Sequence, residues 1–116
     1  MARPGYPAYR NILTALGCEV VEMYCESDGR FPNHLPDPED AENVHELQGK
    51  VVELRADAGI AYDGDADRVG VIDERGGRHE ADLILVLLAR DLLSRHPGAA
   101  IVFDVKSSQS LVDDIR

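Results

Sequence analysis

Six consecutive residues, Asp63-Gly64-Asp65-Ala66-Asp67-Arg68, place a carboxylate at every second position and close on an arginine. Carboxylate oxygens are the ligands that hard divalent cations such as Mg²⁺ and Ca²⁺ take, and small residues between them let three side chains turn toward one point. Without a cation the three charges repel one another. Arg68 adds a planar donor fork that suits carboxylate or phosphate oxygens. The chemistry implied is a cation site, formed by Asp63, Asp65 and Asp67, with an anion contact at Arg68. Two plainer readings compete. A solvated acidic turn explains the composition, because Asp bonds its own backbone and Gly accepts positive φ, but it does not explain the alternation. A calcium loop of the EF-hand kind would use Asp63, Asp65 and Asp67 at its first, third and fifth places and Glu74 at its twelfth. Its sixth place requires Gly and here holds Arg68, and it needs helices on both sides.

The flanks instead favour strands. Gly59 to Tyr62 and Val69 to Ile72 are rich in β-branched and aromatic residues and are punctuated by Gly and Asp, so the six residues form a loop between two strands. Upstream, Ala8 to Leu16 carries apolar residues at helical spacing with Gly17 as a cap, and an apolar strand is expected over Glu19 to Cys25. Three prolines mark Glu26 to Pro38 as loop, ending where Asp37 can cap and Pro38 can open a helix that runs to about Arg55. Downstream, Glu74 to Gly77 reads as a hairpin turn, and Ala81 to Arg95 as a helix apolar nearly all round, which wants cover on several sides. A buried strand is expected over Ala100 to Val105, and Ser107 or Ser108 can cap a last short helix. This order of elements argues an α/β layered architecture.

A chain of 116 residues with 44% apolar but only 5% aromatic residues suits one small aliphatic α/β core. The formal net charge of -10 argues against nucleic acid or an anionic membrane as partner, since both need a basic surface. Cys18 and Cys25 bracket an extended stretch and are expected to stay reduced. The longest apolar run, Leu83 to Ala89, falls far short of the ~20 residues of a membrane span, so a cytoplasmic location is expected.

The loop Asp63 to Arg68 with its continuation Val69 to Ile72 resembles the metal-binding loop of the α-D-phosphohexomutases, the phosphomannomutases and phosphoglucomutases. Leu16-Gly17-Cys18-Glu19-Val20-Val21 and Asp28-Gly29-Arg30-Phe31-Pro32-Asn33-His34-Leu35-Pro36-Asp37-Pro38 are similar to that family's approach to the same domain. Ser94 to Ala99 and Phe103-Asp104-Val105-Lys106 look like the opening of the next one. The resemblance implies a three-layer α/β/α domain, incomplete at both ends. Residues 1–77 would be a partial domain II with the metal loop, and 78–116 the first helix and strand of domain III. It also implies Mg²⁺ on Asp63, Asp65 and Asp67, phosphate or substrate contacts at Arg68 and Lys106, a hexose phosphate substrate, and the remaining mutase domains as partners. The activity implied is phosphoryl transfer between O1 and O6 of a sugar by way of a phosphoserine.

Departures from that pattern matter as much. No segment resembles the family's Ser-His-Asn-Pro loop, so the nucleophile is not in this sequence, and Leu83 stands where some members carry arginine. No catalytic residue is therefore assigned. The leading expectation is a fragment of a Mg²⁺-dependent mutase that is inactive alone, and the rival is a stand-alone acidic module that binds a divalent cation or a partner chain. Arg68 has as its alternative a salt bridge onto its own aspartates, Lys106 could equally reach solvent from a buried strand, and His34 reads as a hydrogen-bonded loop residue. His45, His79 and His96 are expected at the surface.

Overall fold

The computed structural model describes residues 5–25, 30, 32, 36–103, 107 and 109–115. Its centre is a meander of three antiparallel strands, β1 (Ala58–Tyr62), β2 (Val69–Asp73) and β3 (Arg78–His79). β1 and β2 pair through Gly59 with Ile72 and Tyr62 with Val69, and β3 adds to β2 through Val71 with His79. Because side chains alternate along a strand, Gly59 and Ala61 point to one face and Ile60 and Tyr62 to the other.

Helix α2 (Ala41–Leu54) covers the first of these faces. Val44 and Val51 meet Ile72, which is fully buried, while Leu47, Ala56 and Ala61 pack around them. The approach is close enough that Gly59 has no room for a side chain: a Cβ there would lie 2.6 Å from Val51 Cγ2 and 3.2 Å from Leu47 Cγ. The opposite face meets α1 (Gly5–Ala15), whose Tyr9 ring stacks on Tyr62 at 4.6 Å between centroids. Helices on both faces of one sheet make the layering α/β/α.

The cap of α2 differs from expectation. Asp40, in extended backbone, accepts the Glu42 N–H at 3.0 Å, and the helix begins at Ala41. Pro38 is buried ahead of it, and the Asp37 carboxylate accepts the Glu39 N–H at 3.0 Å in a separate turn. Asp40 rather than Asp37 caps because its carboxylate is the one within reach of the first turn's free N–H groups. At the other end, Arg55 adopts left-handed backbone and closes the helix.

The Glu74 to Gly77 turn forms as expected and is tied down. The Asp73 carboxylate accepts the Gly77 N–H at 2.7 Å and the Arg75 N–H at 3.0 Å, and it pairs with His79 Nε2 at 2.8 Å. The His79 contact, followed by the Gly77 N–H, holds the Asp73 pKa below the usual carboxylate value. His79 is accordingly half-buried rather than a simple surface residue. Gln48 of α2 donates to the Gly76 carbonyl at 2.7 Å, joining turn to helix.

Two expected strands do not form among the described residues. Residues 18–25 and 100–103 are irregular, and 104–105 lie outside the described residues. A strand exists by pairing, and the described sheet ends at β1 and β3, neither of which pairs with these segments. Helix α3 does span Ala81–Arg95, and α4 (Gln109–Ile115) packs along it, with Leu111 buried and Arg90 paired to Asp114. The expected cover on α3 is partial: Leu87 and Leu88 are 63% and 60% exposed. Both cysteines carry free thiols, and no helix among the described residues is long and apolar enough to cross a membrane.

Candidate metal centre

The loop 63–68 closes the β1–β2 hairpin, so two paired strands hold its ends together. Asp63 N–H donates to the Arg68 carbonyl at 3.3 Å, and Ala66 N–H donates to the Asp63 carbonyl at 3.2 Å. Ala66 sits in left-handed backbone at φ 61°, a conformation that costs a non-glycine residue about 1–2 kcal/mol. Tyr9 Oη donates to the Ala66 carbonyl at 3.2 Å, so the ring that stacks on Tyr62 also holds the loop at its strained residue. Flanking strands remove the calcium-loop alternative, which requires helices.

Asp63, Asp65 and Asp67 converge. One carboxylate oxygen from each lies within 4.8 Å of the others, with Asp63 buried and the other two exposed. Hard oxygen donors gathered at one point suit Mg²⁺ or Ca²⁺ rather than softer metals. Asp63 is 8% exposed yet fully engaged: Oδ1 accepts the N–H groups of Asp67 at 3.1 Å and Arg68 at 3.2 Å, and Oδ2 accepts Arg68 Nε at 3.0 Å. Burial alone would raise its pKa. Hydrogen bonds from the Arg68 backbone and side chain outweigh that and hold it down to about 2. Asp67 moves the other way, raised first by its hydrogen bonding with Asp63 and then by the charges of Asp63 and Asp65. The cluster is thus one well-satisfied carboxylate beside exposed charges that repel, the electrostatic condition a cation relieves.

Arg68 is held between two elements. Besides Nε on Asp63, its Nη1 donates to Asp37 Oδ1 at 3.1 Å and lies 3.7 Å from Glu39. The salt bridge back to its own loop is therefore present. The bond to Asp63 raises the Arg68 pKa, against the opposing effect of burial, with Asp37 adding to the rise. Lys106 and His34 lie outside the described residues. Sequence reasoning missed Asp37, Glu39 and Tyr9. Asp37 was legible only as a possible helix cap, and nothing in local spacing joins Tyr9 to a loop 57 positions away.

A sheet layered by helices, with three converging carboxylates on its hairpin loop, defines an α/β/α domain. The family model "Phosphoglucomutase/phosphomannomutase, alpha/beta/alpha domain II" matches residues 4–77. The chain belongs to the phosphoglucomutase/phosphomannomutase family. It is 53% identical over 100 residues to a phosphomannomutase/phosphoglucomutase of Pseudomonas putida, covering 86% of this chain and 22% of that protein. A phosphoglucomutase of Neisseria gonorrhoeae is 48% identical over 101 residues, again 22% of its length. A solved structure of a phosphoglucomutase/phosphomannomutase family protein of Burkholderia thailandensis superposes with a TM-score of 0.90 at 40% identity, over 98% of this chain and 25% of that one. The chain thus spans about a fifth of the length of the curated relatives it matches.

Proposed function

We propose that this chain supplies the metal loop of a hexose-phosphate mutase and does not complete a turnover by itself. Asp63, Asp65 and Asp67 would hold Mg²⁺, and the single observation that carries this is their convergence to within 4.8 Å in a member of this family. When bound, such a cation offsets negative charge on a phosphoryl group in transfer. This chain's own residues orient and bind: Arg68 offers a guanidinium to phosphate oxygens, and Lys106 is proposed as a second phosphate contact. Asp63 is kept ionised by its bonds to Arg68, so its negative charge is present in the loop at neutral pH. The substrate would be a hexose phosphate and the partners the further mutase domains. We also propose that residues 78–116 open the next domain, although Arg78 and His79 still pair with β2.

The nucleophile this chemistry needs has no counterpart in the sequence, so the purified chain is expected to show no interconversion of hexose 1- and 6-phosphates with Mg²⁺ and a sugar bisphosphate present. Turnover above a buffer blank would overturn the proposal. A second arm reads the anion contact: with Mg²⁺ present, glucose 1-phosphate should shift the Arg68 Nε–H resonance, and Arg68→Met should abolish binding. An unmoved resonance would remove Arg68 from the site.

A further inference from the structure

The hairpin loop is gripped from outside by a residue far from it in sequence. Tyr9 of α1 lays its ring on Tyr62, the last residue of β1, with 13° between the ring planes, and its hydroxyl crosses to the loop and donates to the Ala66 carbonyl at 3.2 Å. That carbonyl belongs to the peptide that joins Ala66 to Asp67. The N–H of the same peptide donates to Asp63 Oδ1 at 3.1 Å. Both polar edges of this one planar unit are therefore held, so it cannot rotate without breaking a hydrogen bond. The first half of the loop is packed separately, with Pro36 Cγ 3.4 Å from where a Cβ on Gly64 would lie.

Ala66 lies between Asp65 and Asp67, and its backbone angles set how those two carboxylates are aimed relative to each other. Its φ of 61° falls in the left-handed region, which an alanine leaves readily because its Cβ crowds the following carbonyl there. A rotation at Ala66 carries the Ala66–Asp67 peptide with it and turns Asp67 away from Asp63 and Asp65. We infer that Tyr9 is a positioning residue for the cation site: its hydroxyl keeps Ala66 left-handed and so holds the Asp67 carboxylate in the cluster that converges to within 4.8 Å. The inference rests on the cation reading of the loop given above. The stack on Tyr62 seats the ring and the hydroxyl makes the grip, so the two contributions can be separated by substitution.

The test is a double-mutant cycle on the whole chain, reading Mg²⁺ dissociation constants from amide shifts of residues 63–68. Tyr9→Phe keeps the ring and removes the hydroxyl, and it should weaken Mg²⁺ binding about threefold to tenfold because fewer chains hold the loop in its binding form. Ala66→Gly should rescue the loss: glycine takes the left-handed region without strain, so in that background removing the hydroxyl should cost less than about twofold. In the metal-free chain, Tyr9→Phe should speed water exchange of the Asp67 amide while leaving the strand amides of residues 69–73 unmoved, whereas a general loss of stability would speed both. The same strand amides report whether each variant is folded, and Tyr9→Met, which also lacks the donor, carries the cycle if the Phe variant does not fold. Unchanged Mg²⁺ affinity in Tyr9→Phe, equal losses in both backgrounds, or an unmoved Asp67 exchange rate would overturn the inference while leaving the cation site standing. Absence of Mg²⁺ binding by the unsubstituted chain would instead sink the cation reading, and this inference with it.

Discussion

Asp63 and Asp67 stand four residues apart on one loop and titrate in opposite directions, which separates their roles in the metal-free chain. Asp63, at about 2, lies below the ~3.9 of an unfolded aspartate, so the folded chain binds fewer protons than the unfolded one in that interval. Its stabilisation is complete above about pH 4 and is lost as pH falls through about 2. Asp63→Asn should therefore cost about 1–3 kcal/mol near neutral pH, with the gap to the unsubstituted chain closing toward pH 2 in denaturant titrations. A gap that stays constant with pH would contradict this. Asp67 has a raised pKa, so its charge opposes folding above that pKa, and Asp67→Asn should leave the metal-free chain at least as stable while weakening Mg²⁺ binding. Thermal melts with and without Mg²⁺ check both halves, and a clearly destabilised metal-free variant would be the contrary result. The loop was legible in sequence because alternation of carboxylates is a local pattern. The partners of Arg68 were not, because Asp37 is 31 residues away.

At the level of elements, the hairpin is held by α2 on one face and by Tyr9 of α1 at its loop. Gly59→Ala would drive a methyl to 2.6 Å from Val51 Cγ2, and overpacking of this kind costs about 1–3 kcal/mol. Equilibrium unfolding reads this loss, and a neutral substitution would mean that α2 can lift away freely. Asp40→Ala should cost about 1 kcal/mol by removing the cap of α2, whereas Asp37→Ala should leave the cap intact. Helices α1 and α2 were readable from the helical spacing of their apolar residues, and the β1–β2 pair from β-branched and aromatic residues set off by Gly and Asp. The apolar stretches at 19–25 and 100–103 showed the limit of that method: composition says that a segment can be a strand, but only a neighbour's free backbone groups make it one.

For the whole molecule, the described core is small, with five buried apolar residues: Val44, Val51, Ile72, Ala89 and Leu111. Meanwhile Leu83, Leu87 and Leu88 on α3 face outward. Apolar surface left on a chain of this size favours association and a shallow stability. The isolated chain should melt broadly and bind a hydrophobic dye, and Leu87→Lys with Leu88→Glu should reduce the dye signal without lowering the melting midpoint. A sharp melt from a monodisperse monomer would contradict the first expectation. The central claim is that three aspartates on a hairpin loop form a divalent-cation site. Its most direct test is a Mg²⁺ titration of the labelled chain followed by amide shifts, alongside Asp65→Asn/Asp67→Asn. The expected result is saturable shifts concentrated on residues 63–68 and absent from the double variant; shifts that never saturate, spread across the acidic surface or persist in the variant would contradict it.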